Sequence, residues 1–213
     1  MKITKLGHCC LLIETKNKRI LTDPGTFSTV QDGLKDIDIV LITHEHADHF
    51  HLDSLNRILT LNPQVAIVTN SAVGALLTKE EIPFILLEGI DSAIVSELPF
   101  EAFDSKHEEI FEEIGQVQNT GYFIDGRLFY PGDSFADPKK QVEILALPIA
   151  GPWCKLADSI RYALKIKPTK AFPVHDGMIQ EDKLSSSHGI AGMVLGQRNT
   201  EFTQLKAGET VEY

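Results

Sequence analysis

The sequence predicts an α/β protein. Three observations carry that reading. Short β-branched apolar runs recur along the 213 residues, stretches with helical apolar spacing alternate with them, and histidine-bearing polar segments begin where the runs end. The clearest run is Ile39-Val40-Leu41-Ile42, short enough for a strand covered on both faces, and it leads directly into Thr43-His44-Glu45-His46-Ala47-Asp48-His49. Open α/β sheets place their ligands at such carboxyl strand ends.

From the amino terminus, residues 2–14 and 18–22 read as two strands joined by the polar turn Thr15-Lys16-Asn17. His8 falls inside the first of these patterns, as a residue of the core or of a pocket wall. The second strand ends at Asp23-Pro24, and an aspartate held there could accept a hydrogen bond from a metal-binding histidine. After the histidine cluster, residues 52–61 have apolar positions at helical spacing until Asn62-Pro63 stops them. Residues 65–69 form the next strand, and Asn70 or Ser71 caps a helix running through Lys79. Residues 85–87, 93–96 and 100–103 follow as strands. The last is closely followed by Asp104-Ser105-Lys106-His107 and the acidic stretch around Ile110 and Phe111, which reads as a solvated loop or lid.

Residues 121–130 read as a hairpin turning at Asp125-Gly126, whose second strand ends in Pro131-Gly132-Asp133-Ser134. Residues 144–147 are a buried strand ahead of Pro148-Ile149-Ala150-Gly151-Pro152-Trp153. Trp153 either lines a pocket or packs over the helix at 156–166. Ala171-Phe172-Pro173-Val174 delivers His175, whereas His188 falls at a loop or helix start and residues 202–211 read as a closing strand pair.

Three histidines and an aspartate within six residues form a dense set of nitrogen and oxygen donors. They suit Zn²⁺ first, with Mn or Fe as alternatives, and period-two alternation lets two ligand sets face two adjacent ions. Asp133, beside a glycine that permits close backbone approach, is suited to bridge such ions. Two divalent ions, two carboxylates and a shared hydroxide leave a formal charge of about +1, which favours an anionic small-molecule substrate.

A net charge of −10 argues against a nucleic-acid partner. The amino terminus lacks an apolar signal core, and no run reaches the roughly 18 apolar residues of a membrane span, so a soluble cytoplasmic protein without membrane insertion is expected. Three cysteines, two of them adjacent, make a poor disulfide framework and fit a reducing compartment. No linker divides the chain, so residues 1–213 are expected to form one domain; self-association into a homo-oligomer stays open.

The stretch Thr43 to His49 matches the H-x-H-x-D-H signature and resembles the metallo-β-lactamase-fold hydrolases. Gly7-His8-Cys9-Cys10-Leu11-Leu12-Ile13-Glu14, Asp23-Pro24, Gly132-Asp133-Ser134 and Pro148-Ile149-Ala150-Gly151 look most like a small branch of that superfamily. It is the branch related to ascorbate-phosphate lactonase and to N-acyl-phosphatidylethanolamine phospholipase D. The resemblance implies a four-layer αββα sandwich. It implies one ion on His44, His46 and His107, a second on Asp48, His49 and His175, and Asp133 as the bridge. It also implies a hydrolase in which a dinuclear, metal-bridged hydroxide cleaves an ester, lactone or phosphodiester, with Asp48 or Asp133 passing a proton to the leaving group. The competing reading is a metal-binding or metabolite-sensing module that keeps the site without turnover.

Overall fold

Alternation along each strand sorts the side chains into three apolar layers, and these layers dictate the architecture. The computed structural model describes residues 1–213. Its first half contains β1 (Lys2–Gly7), β2 (Cys10–Thr15), β3 (Lys18–Thr22), β4 (Ile39–Leu41), α1 (Leu52–Leu61), β5 (Ala66–Thr69), α2 (Ser71–Lys79) and β6 (Ile85–Leu86). The second contains β7 (Ser92–Val95), β8 (Leu98–Lys106), β9 (Gln118–Ile124), β10 (Leu128–Tyr130), β11 (Ile144–Pro148), α3 (Leu156–Ile166), β12 (Lys170–Val174), α4 (Leu184–Gly196), β13 (Glu201–Phe202) and β14 (Thr210–Glu212).

One mixed sheet has the order β14-β1-β2-β3-β4-β5-β6 and the other β13-β12-β11-β10-β9-β8-β7. In β4, Ile39 and Leu41 point into the layer between the sheets, where they meet Phe100, Tyr122, Tyr130, Phe172 and others, while Val40 points outward to Leu55 and Ile58 of α1 and Leu77 of α2. Tyr162 and Ala163 of α3 and Leu195 of α4 cover the outer face of the second sheet, against Phe129, Leu145 and Ala171. The four layers are therefore helices, sheet, sheet, helices. Each fully buried leucine or isoleucine in these layers contributes roughly 1.5–3 kcal/mol relative to exposure. Asn70 caps α2 by accepting from the Val73 N–H at 3.1 Å. Asp125 and Gly126 both take positive φ, as a two-residue hairpin turn requires.

Three expectations change. Residues 2–14 are two strands, because the chain reverses at His8-Cys9, where His8 takes φ of 43°. His188 lies inside α4 and is fully buried. The residues expected to close the chain as a strand pair do not pair with each other. β13 joins β12 in one sheet and β14 joins β1 in the other, because α4 returns the chain to one outer face before it crosses to the opposite sheet. No helix is long and apolar enough to cross a membrane.

Candidate metal centre

Parallel pairing brings the carboxyl ends of β3 and β4 side by side, with Thr22 opposite Leu41, so the residues that follow them emerge together. β4 is followed by His44, and the chain then turns back on itself, the His49 and Phe50 N–H groups donating to the His46 carbonyl at 2.9 and 2.8 Å. This turn, in place of a continued strand, separates two groups. His44 and His46 meet His107 from the end of β8, while Asp48 and His49 meet His175 from the end of β12. Asp133, after β10, sits between them. Its Oδ2 lies 3.2 Å from His107 Nε2 and 2.8 Å from His175 Nε2, and its Oδ1 lies 3.1 Å from His49 Nε2. Gly132 makes this placement geometrically feasible: its φ is 63°, and a Cβ there would lie 2.3 Å from Asn119 Oδ1.

The outer nitrogens determine which inner ones are free. His49 Nδ1–H donates to Asp23 Oδ2 at 2.7 Å, His107 Nδ1–H to the Glu108 carbonyl at 2.6 Å, and His175 Nδ1–H to the Ala150 carbonyl at 2.5 Å. Thr43 Oγ1 spends its proton on Asp23 Oδ2 at 2.8 Å, so His44 Nδ1–H donates to Thr43 at 3.0 Å. In all four rings Nε2 is left to face the centre. The Nε2 atoms of His44, His49 and His175, with Asp133 Oδ1, are buried and have no hydrogen-bond partner. Such a cluster of orphaned donors matches what a divalent cation requires.

Asp23 is fully buried and receives Tyr130 OH at 2.7 Å in addition to His49 and Thr43; no lysine or arginine is among these partners. It thus accepts from His49, as an aspartate at this strand end was expected to accept from a histidine of the cluster. His8 is a turn residue rather than a strand residue. Its Nδ1 accepts the Gly177 N–H at 3.0 Å, so the proton is on Nε2, which donates to Asp48 Oδ2 at 3.2 Å. Trp153 lines the pocket, and its indole N–H donates to Asp133 Oδ2 at 3.2 Å. Phe27, Ile110 and Met178 also face this pocket, and sequence reasoning did not single them out as a wall. His51 is outside the cluster, paired with Ser54 Oγ at 3.1 Å.

A second buried network supports His175 from behind. Lys5 Nζ donates to Asp176 Oδ2 at 2.6 Å and to the Pro173 carbonyl at 2.9 Å, and His188 Nε2–H donates to Asp176 Oδ2 at 3.0 Å. His8, Asp23 and His175 all take positive φ, at 43°, 37° and 58°. Non-glycine residues in this region typically cost about 1–3 kcal/mol each and persist where the surroundings over-determine them.

Charge follows from the same contacts. Burial lowers His44 well below the ordinary imidazole range and lowers His46 as well. Burial opposes charge on His49 and His175, yet Asp133 raises both well above it. Burial also opposes ionisation of Asp48, but the neighbouring His175 ring and the hydrogen bond from His8 hold it below the usual carboxylate range.

A model of the beta-lactamase superfamily domain matches residues 2–175, the span that holds every residue of this cluster. The chain belongs to the metallo-β-lactamase superfamily. This superfamily member is 32% identical over 219 residues to Protein Rv0786c of Mycobacterium tuberculosis, with both chains covered in full. It is 26% identical to the UPF0173 metal-dependent hydrolase PH1671 of Pyrococcus horikoshii, over 82% of this chain and 84% of the other. In fold the superfamily member is similar to Igni18, a metallo hydrolase from Ignicoccus hospitalis. That likeness has a TM-score of 0.76, 20% identity, and coverage of 99% and 97% of the two chains. The chain is thus a metal-dependent hydrolase of this superfamily.

Proposed function

We propose that the chain hydrolyses a small ester, lactone or phosphodiester with two divalent ions, Zn²⁺ first and Mn or Fe as alternatives. His44, His46 and His107 would hold one ion, Asp48, His49 and His175 the other, and Asp133 would bridge them. The observation that carries this reading is the convergence of buried Nε2 atoms and Asp133 Oδ1 without hydrogen-bond partners, each ring fixed by a bond at its far nitrogen.

When bound, the ions would bring the pKa of water toward neutrality and stabilise oxyanion charge at a carbonyl or phosphorus. The side chains orient and balance that chemistry. Asp133 is buried and held ionised by His49 and His175 against the cost of its burial, so it keeps its position and charge. Asp48 is 22% exposed where Asp133 is 2%, so a proton bound for the leaving group passes more readily by Asp48. Trp153 steadies Asp133 and closes one side of the pocket.

Elemental analysis of protein purified without an affinity tag tests this reading. About two Zn, Mn or Fe per chain are expected, with loss of metal and of hydrolytic activity in both His46→Ala and Asp133→Ala at unchanged secondary structure. A chain that takes up no metal after reconstitution with each ion would overturn it.

A further inference from the structure

The pocket above the cluster is small, about 240 Å³, below the roughly 300–1,000 Å³ typical of drug-sized ligands. Its walls are Phe27, Ala47, Ile110, Pro152, Trp153 and Met178. Apart from Thr26, its polar lining consists of the histidines and aspartates of the centre itself, and no lysine or arginine reaches it. Phe27 and Met178 are large apolar side chains left 47% and 57% exposed at this opening, and Ile110 joins them on the wall. Exposed apolar groups around a concave polar centre are the usual mark of a surface completed by a ligand.

From these walls, and from a lining without lysine or arginine, we propose that the substrate carries a short alkyl or aryl group next to the scissile bond. On this proposal it bears no charge outside the group that faces the ions. The proposal rests on the hydrolase reading and narrows it to acyl esters, thioesters or lactones with an apolar acyl side, against phosphorylated or carboxylated substrates. In the ester case water adds its oxygen to the carbonyl carbon and the acyl C–O bond breaks; one of the water's protons leaves with the alcohol and the other is released to solvent, so the products are an apolar carboxylate, an alcohol and a proton. A second anionic group would find no lysine or arginine in the pocket lining and would meet apolar walls instead. An alkyl group would bury against Phe27 and Met178, with a gain of about two- to fourfold in binding per methylene.

The test uses the full chain reconstituted with Zn²⁺, its metal content measured first. Calorimetry then compares acetohydroxamate, pentanohydroxamate, benzohydroxamate and the monohydroxamate of succinate, which share one metal-binding head and differ only in the tail. Pentanohydroxamate and benzohydroxamate are expected to bind at least tenfold more tightly than acetohydroxamate. The succinate derivative should bind at least tenfold more weakly than pentanohydroxamate, which is of similar length. Met178→Lys should narrow or reverse that last difference at unchanged metal content. Rates on p-nitrophenyl butyrate against its carboxylated analogue, p-nitrophenyl succinate, should follow the same order. Equal or tighter binding of the carboxylated tail by the metal-loaded protein would overturn the proposal while leaving the hydrolase reading intact. Absence of metal uptake would remove both, and the elemental analysis distinguishes the two failures.

Discussion

The main-chain N–H of Gly177 donates to His8 Nδ1 across 3.0 Å, and this one bond decides what His8 does. With Nδ1 occupied as an acceptor, the ring proton is on Nε2 and is directed at Asp48 Oδ2. The His8 carbonyl meanwhile accepts the N–H of His175 at 3.3 Å, so one residue braces two members of the second ligand group. A Cβ at Gly177 would lie 2.9 Å from that same ring nitrogen.

His8→Gln retains a donor close to the position of Nε2, and His8→Ala does not. His8→Ala is expected to lose the second metal ion in preference to the first, with affinity falling roughly 10–100-fold, and His8→Gln to recover much of it. Metal titration followed by elemental analysis reads the difference. Equal loss in both variants would show that ring packing, and not the hydrogen bond, is what matters.

Loading of the two ligand groups should differ in proton release. Burial leaves His44 and His46 neutral near pH 7, whereas Asp133 keeps His49 and His175 protonated against the effect of burial. His49 and His175 therefore release more protons to an entering ion than His44 and His46 do. Because protons leave on binding, affinity for the second ion rises with pH. Calorimetric titration of metal-free protein in two buffers of different ionisation enthalpy measures these numbers directly, and equal release from both steps would contradict the assignment.

Asp23→Asn keeps the shape but weakens acceptance from His49, Thr43 and Tyr130. Metal affinity or activity should drop about 10–100-fold with little change in KM, since Asp23 does not line the pocket. Steady-state kinetics with parallel metal analysis checks this.

The Lys5–Asp176 pair is buried on both sides, at 1% and 4% side-chain exposure, and links β1 to the residue after His175. Lys5→Met leaves Asp176 with only the hydrogen bond from His188. It should destabilise the protein by about 3–5 kcal/mol, because removing one member strands a buried charge. Urea unfolding measures the loss, and a midpoint close to the parent's would show that His188 alone suffices.

Much of this site is readable in sequence because its parts are local. An apolar run ending in His44, a glycine before Asp133 and a strand ending in His175 each carry their signal within a few residues. What escapes reading is non-local or contrary to propensity. Lys5 and Asp176 are 171 positions apart, and nothing near either announces the other. Ser185, Ser186, Ser187 and Gly189 are poor helix formers, yet burial of Leu184, Ala191 and Leu195 overrides them and places His188 inside α4. The turn at His8 is hidden because Gly7-His8-Cys9 sits between two strand-like runs, and only the paired register of β1 and β2 reveals the reversal. Asp23 was legible as an acceptor for a histidine of the cluster, but the bond it takes from Tyr130, 107 positions away, was not.

Each ligand trio draws two residues from the first sheet's half of the chain and one, His107 or His175, from the second. In chain order, His44 to His49 come well before His107, and His107 well before His175. Neither trio is therefore complete until the strand that carries its distant histidine has packed beside the first sheet's half. Tight metal capture thus waits on tertiary closure, and a loaded centre certifies that the two sheets have already closed on each other.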